Sequence, residues 1–259
     1  MSGRILLLRS GGPGPEDEAP APDVTVLRTH AVFPRAEGID EALTFDPVGA
    51  ALVVSSKETV KVLLPLVPLR FSLVLAVGDG TAEFLRKVNT GERAVGTFAG
   101  ASAYSGDDET QVIVPSVPGA AGVIQFLRKS SFSSSPSFPS RILWPHGSDA
   151  AEEPFEEVRS LGFSLVSPVV YVKRPRAPVE LDAAVVSEFA AGRFGAVAVG
   201  STAGLDVLLA AVPSPPHVRW GVLGPETARA VAARKLPPPV VPPRARLSDL
   251  LDLLRKEIT

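Results

Sequence analysis

The chain has no cysteine, one methionine, two tryptophans, two tyrosines and three histidines in 259 residues. Without cysteine there is no disulfide, no thiolate metal site and no cysteine nucleophile. His30, His146 and His217 are far apart and share no paired ligand spacing. They are expected in loops or on the surface, and no metal is expected. No G-x-S-x-G elbow and no Walker A segment occurs, and the nearest glycine motifs, G-D-G-T and G-P-E-T, do not satisfy G-x-G-x-x-G. Neither a serine hydrolase of that kind nor a nucleotide-binding protein is indicated. Charge of one sign is also lacking: 26 Lys and Arg against 28 Asp and Glu give a formal net charge of −2. That balance speaks against a nucleic-acid partner, which would call for a basic stripe. The most apolar region, 62–78, is broken by Pro65, Pro68 and Arg70, so no membrane span is expected. The opening MSGRILLLRSGG has too short an apolar run for a signal peptide, and a cytoplasmic location is the expectation.

Proline is in surplus, 26 residues, about twice its ordinary share. Its clusters at 11–22, 213–216 and 237–243 read as loops, since proline cannot donate to a ladder or continue a helix. Hydrophobic residues form 45% of the chain, enough for a buried core.

The most informative feature is an internal repeat at about 145 residues. LVLAVGDGTAEFL (73–85) matches WGVLGPETARAV (220–231), each an apolar run followed by Gly-x-x-Thr-Ala. ALVVSSKETVKVLL (51–64) matches AVAVGSTAGLDVLL (196–209), with Ser56 opposite Ser201. Four strand–turn–helix units in matched pairs predict an α/β fold of two similar lobes, each a parallel sheet flanked by helices. Strands are expected at 4–9, 24–27, 50–55, 73–77, 93–97, 141–144, 165–173, 195–199 and 218–222. Helices are expected at 57–64, 80–88, 119–129, 152–161, 179–191, 203–211, 225–234 and 247–257, the last begun by Ser248 or a neighbour. The serine-rich run 130–138 reads as a mobile loop. The first lobe is expected to be discontinuous, 1–33 with 172–259, and the second, 34–171, to be inserted into it; the two crossings then form a hinge.

Ligands of open parallel sheets bind at the carboxyl edge, where helix N-termini favour anions. Ser55, Ser56, Thr81, Ser201, Thr202 and Thr227 stand at such edges. Each either caps its helix or lines a ligand cleft. Tyr104 falls in a surface loop. Tyr171 ends the strand returning between lobes, just before Lys173 and Arg174, and is either a half-buried aromatic or a functional group.

In order and spacing these segments resemble the uroporphyrinogen-III synthase family. VVSSKETVKVLL, LAVGDGTAEFL, LGFSLVSPVVYVKRP (161–175), FGAVAVGSTAGLDVLL, WGVLGPETARAV and LSDLLDLLRKEI carry the likeness from about 50 to 257. The resemblance implies two lobes joined by a two-stranded linker, a cleft between them and no cofactor. It implies a linear tetrapyrrole with eight carboxylates as substrate, hydroxymethylbilane, closed to the type III ring. Tyr171 stands at the place of the family's favoured catalytic tyrosine, and Thr81, Ser201 and Thr227 at those of its polar cleft residues. A monomer is the expectation. This chain departs from the pattern in having GGPGPEDEAPAP after its first strand, where a helix is usual. It also has Lys57-Glu58 after Ser56, and His146-Gly147 where many members have Arg-Gly. Two other functions fit: a catalytically silent relative that binds a tetrapyrrole or similar anion, and an unrelated two-lobed small-molecule binding protein.

Overall fold

The computed structural model describes residues 3–9, 21–63, 66, 71–89, 111–117, 119–132, 138–244 and 246–259. The strand expected at 93–97, Tyr104 and residues 133–137 of the serine-rich run lie outside the described residues. The chain divides into two compact units: Met1–Ala31 with Arg174–Thr259, and Val32–Lys173.

The strands are β1 Ile5–Arg9, β2 Val24–Arg28, β3 His30–Pro34, β4 Ala50–Val54, β5 Leu73–Ala76, β6 Gln111–Ile113, β7 Arg141–Leu143, β8 His146–Gly147, β9 Ser164–Val166, β10 Val169–Pro175, β11 Ala196–Val199 and β12 Arg219–Val222. The helices are α1 Ala36–Thr44, α2 Lys57–Leu63, α3 Asp79–Asn89, α4 Ala120–Phe132, α5 Glu153–Ser160, α6 Ala183–Ala190, α7 Thr202–Ala211, α8 Pro225–Ala233 and α9 Leu247–Ile258.

In the Val32–Lys173 unit a parallel sheet runs in the order β6-β5-β4-β7-β9. Its central strand, AALVV, is buried at every position, as a parallel strand covered on both faces must be. Neighbouring side chains point to opposite faces. Ala50, Leu52 and Val54 therefore join Ile39 and Ala42 of α1, Val60 and Leu63 of α2 and Leu85 of α3. Ala51 and Val53 join Val123 and Leu127 of α4 and Phe155 and Val158 of α5.

The other unit has the parallel order β12-β11-β1-β2. On one face Leu6, Leu8, Val197 and Val199 pack with Phe189 of α6, Leu205 and Leu208 of α7 and Val231 of α8. On the other, Ile5, Leu7, Ala196 and Ala198 pack with Leu250 and Leu254 of α9. A Cβ at Gly221 would lie 2.9 Å from methyl groups of Leu250 and Leu254, so the bare glycine of β12 lets α9 seat closely. A parallel bridge from Gly221 to Val240 extends this sheet beyond β12.

The two sheets are the same sheet under circular permutation. Read from one edge they are β9-β7-β4-β5-β6 and β2-β1-β11-β12 followed by the Val240 bridge. The repeated segments thus occupy equivalent positions, β4 with β11 and β5 with β12. A separate small sheet, β3-β10-β8, includes the parallel pair β10–β8, which sets Val169 opposite His146 and Tyr171 opposite Gly147.

Several expectations are corrected. The strand read at 165–173 is two strands, β9 and β10, split at Ser167–Pro168, since proline has no N–H for a ladder. The helix read at 179–191 is a 3-10 turn at Pro178–Glu180 followed by α6. Asp182 sets the start of α6 by accepting from the N–H groups of Ala184 (3.0 Å) and Val185 (3.2 Å). Helix α9 begins at Leu247, as expected, after Arg246 and without a side-chain cap. Helix α4 runs on to Phe132, into the serine-rich run. Helix α1 and strands β3, β6 and β8 have no counterpart among the elements expected from the sequence.

Candidate active site

In the Val32–Lys173 unit the chain leaves β4 toward β5 and β6 on one side and returns to β7 and β9 on the other. The strand order therefore reverses between the carboxyl ends of β4 and β7, the place where doubly wound sheets bind ligands. Half-buried Ser55 and Ser56 follow β4 there, and Trp144, Pro145 and His146 follow β7. In the other unit the reversal lies between β1 and β11, and Ser201 and Thr202 follow β11.

Ser56 and Ser201 are equivalent helix caps. Ser56 Oγ accepts from the Thr59 N–H at 3.1 Å, and Ser201 Oγ from the Gly204 N–H at 3.2 Å. The remaining hydroxyl residues do not cap. Thr202 is the first residue of α7. Thr81 and Thr227 are each the third residue of their helix, after Asp79-Gly80 and Pro225-Glu226, Thr81 half-buried and Thr227 buried. Lys57 reaches across to the start of α3: a Cβ at Gly80 would stand 3.8 Å from Lys57 Cε.

Ser56 does more than cap. Its Oγ lies 3.1 Å from Thr59 Oγ1 and 3.1 Å from Tyr171 Oη. Thr59 is 1% exposed and Tyr171 3% exposed. Tyr171 sits within β10 and is buried in the core with Leu52, Val54 and Val60, which corrects the half-buried strand-end reading. Its ring lies over Gly147, where a Cβ would overlap Cε2 and Cζ. The ring is thereby packed against the neighbouring strand, with the phenol reaching the cap of α2.

Two histidines are also corrected. His30 and His146 are buried strand residues, not surface or loop ones. His146 stacks on Phe155 with ring centroids 4.4 Å apart. Its Nδ1 faces the carbonyl of Gly147 at 2.9 Å and its Nε2 that of Ser167 at 3.1 Å. Whichever nitrogen carries the proton donates to a backbone carbonyl, so His146 packs β8 against the β9–β10 junction. His30 Nδ1 lies 3.0 Å from Thr29 Oγ1. Among the described residues no group of three or more His, Cys, Asp or Glu could hold a metal ion, and no helix is long and apolar enough to cross a membrane.

Lys173 is two positions along β10 from Tyr171 and hence on the same strand face. Its Nζ is 6.0 Å from the Tyr171 ring centroid and donates to Asp149 Oδ2 at 2.9 Å. Burial opposes its charge most strongly. The hydrogen bond to Asp149 and the negative potentials of Tyr171, Asp149 and Glu58 outweigh that, so its pKa is raised above the ordinary lysine value. Thr59, Gly147, Asp149 and Lys173 were not singled out in the sequence as members of the site. Only Lys173 carried a local signal, its spacing from Tyr171.

The fold is a parallel α/β architecture whose described strand ends carry hydroxyls at the carboxyl edge, where open sheets bind ligands. The profile of the family described as uroporphyrinogen-III synthase HemD (HEM4) matches residues 24–252. The chain belongs to the uroporphyrinogen-III synthase family, whose members are lyases of tetrapyrrole biosynthesis acting on hydroxymethylbilane. The fold is similar to that of uroporphyrinogen-III synthetase from Helicobacter pylori, at 14% identity and a TM-score of 0.52 over 98% of each chain. A mutant uroporphyrinogen III synthase from Thermus thermophilus is 13% identical over 90% of this chain and 88% of its own, with a TM-score of 0.48. No curated protein sequence matches this chain.

Proposed function

We propose that this chain closes hydroxymethylbilane to uroporphyrinogen III without a cofactor, with loss of water and inversion of ring D, and that Tyr171 assists the departing hydroxyl. The contact between Tyr171 Oη and Ser56 Oγ, at the reversal point of the sheet, is the observation that carries this reading.

Proton accounting in the hydroxyl cluster supports it. Ser56 Oγ already accepts from the Thr59 N–H, which leaves it one further lone pair and one proton for two hydroxyl neighbours. A buried hydroxyl donor left unpaired is costly, and Thr59 is the most enclosed of the three. If Thr59 donates to Ser56, Ser56 donates to Tyr171, and the Tyr171 proton is the one left for a ligand. A phenol so oriented hydrogen-bonds the substrate hydroxyl as it leaves as water. The resulting azafulvene is attacked from a substituted position of ring D, and the spiro intermediate fragments and recloses with that ring inverted.

Much of this reactivity belongs to the pyrroles, so the protein's larger task is to hold one conformation of the chain. Ser55, Ser56, Thr81, Ser201, Thr202 and Thr227 are proposed to bind the substrate, their helix starts favouring its carboxylates. The test is to supply hydroxymethylbilane and separate the isomers formed. Type III in excess of the spontaneous mixture is expected; a product no richer in type III than that mixture overturns the reading.

A further inference from the structure

The ion pair of Lys173 and Asp149 is redundant as a structural tie. The turn after β8 is already held to β10 by the backbone: the Ser148 N–H donates to the Tyr171 carbonyl at 2.9 Å, the His146 N–H to that of Pro168 at 3.0 Å, and Gly147 is in register with Tyr171. The pair is not enclosed either, with side chains 26% exposed for Lys173 and 52% for Asp149. Among the other charged groups that act on Lys173, Glu58 is itself bonded to Lys61 at 3.1 Å. The ring of His146, beside Gly147, is stacked on Phe155 and faces the carbonyls of Gly147 and Ser167. Lys173 thus stands beside Tyr171 with its hydrogen-bonded carboxylate, Asp149, on a turn open to solvent.

We propose that Lys173 receives a carboxylate of the substrate beside Tyr171, and that Asp149 is an internal stand-in for that carboxylate, displaced when substrate binds. The proposal rests on the reading of the substrate as a linear tetrapyrrole with eight carboxylates. Exchanging one carboxylate for another keeps the partly buried ammonium neutralised throughout, so no charge is stranded on binding or release. It also anchors an acidic side chain next to the phenol, where the leaving hydroxyl must be oriented. Lys173 is here a specificity residue, and Asp149 its competitor.

A competitor and a support predict opposite signs for the same substitution. The probe is uroporphyrin III, the oxidised form of the product with its eight carboxylates, titrated against the full chain by quenching of tryptophan fluorescence. Asp149→Asn is expected to tighten binding by about two- to fivefold, the worth of a half-exposed ion pair no longer competing. Lys173→Gln is expected to weaken it by about tenfold and to flatten its salt dependence. Lys173→Arg, which keeps the charge, is expected to restore most of the affinity. Asp149→Asn in the Lys173→Gln background is expected to change nothing further. Weaker or unchanged binding in Asp149→Asn overturns the competitor role, and unchanged binding in Lys173→Gln overturns the receptor role. If wild-type protein yields excess type III product while Lys173→Gln binds normally, only this proposal falls. If wild-type protein neither binds the probe nor yields type III, both it and the functional reading fall.

Discussion

Gly147 and Tyr171 stand opposite each other in the β8–β10 register, and the tyrosine ring occupies the space a Gly147 side chain would need. One missing methyl group thus sets where the phenol points. Gly147→Ala is expected to push the ring off its seat and break the Tyr171–Ser56 contact. Overpacking of this kind costs about 1–3 kcal/mol. Turnover should fall at least about tenfold, less than the usual ~10²–10⁴-fold of acid assistance because much of the reactivity is the substrate's own. Urea unfolding and steady-state kinetics check the two halves; a folded Gly147→Ala protein with unaltered turnover would show that ring placement is immaterial.

The two serine caps are equivalent in their sheets but differ in what else they touch. Ser201→Ala removes the cap of α7 and should cost about 1 kcal/mol of stability. Ser56→Ala removes the cap of α2 and also unpairs the Thr59 and Tyr171 hydroxyls. It should therefore cost more, by about 1 kcal/mol or above. Equal unfolding midpoints for the two variants would contradict the shared hydroxyl cluster.

Acid sensitivity follows from the pair that fastens α9 to the start of β2. Arg255 Nε donates to Asp23 Oδ2 at 2.7 Å and Nη2 to Oδ1 at 3.1 Å. The hydrogen bond from Arg255 holds the Asp23 pKa below the ordinary aspartate value, against the opposing effect of burial. A carboxylate whose folded pKa is depressed adds stability that is complete above its unfolded pKa of about 3.9 and disappears as pH falls through the folded value. Both side chains are about a third exposed, so solvent screening limits the pair to about 0.5–1 kcal/mol. Asp23→Asn should be less stable than wild type by that amount at pH 7 and no less stable at a pH below the folded pKa. A difference that persists in strong acid would mean a packing effect rather than an electrostatic one.

The elements that declare themselves in the sequence are those whose cause is local. AALVV and AVAV are runs buried on both faces and ended by Ser-Ser and Gly-Ser; composition alone marks such strands and their turns. Helix α1 has no such signal. It starts after Arg35 without a side-chain cap, and Gly38 is required because a Cβ there would overlap the carbonyl of Val169. That contact joins segments far apart in the chain. The candidate site divides in the same way. The strand-end hydroxyls can be read from position within the repeat, and Tyr171 from its place in the returning strand and the family resemblance. The burial of Tyr171 depends on Gly147, its hydroxyl partner on Ser56, and the pairing of Lys173 on Asp149. Each of these needs β8, β10 and α2 brought together, which local propensity does not encode. His146 shows the same limit: among polar residues and turns it reads as a loop residue, yet Phe155 and two backbone carbonyls enclose it.

The role of the phenol is tested most directly by the turnover of Tyr171→Phe on hydroxymethylbilane, measured beside wild type with the unfolding midpoint of both. The substitution keeps the ring on Gly147 and deletes only the hydroxyl that meets Ser56. Loss of that hydrogen bond should cost about 1 kcal/mol of stability. Formation of type III product should fall about tenfold to a hundredfold with KM little changed, since a general acid acts on the barrier more than on binding. A folded Tyr171→Phe protein that makes type III product at the wild-type rate would contradict the assignment and reduce Tyr171 to a packing residue.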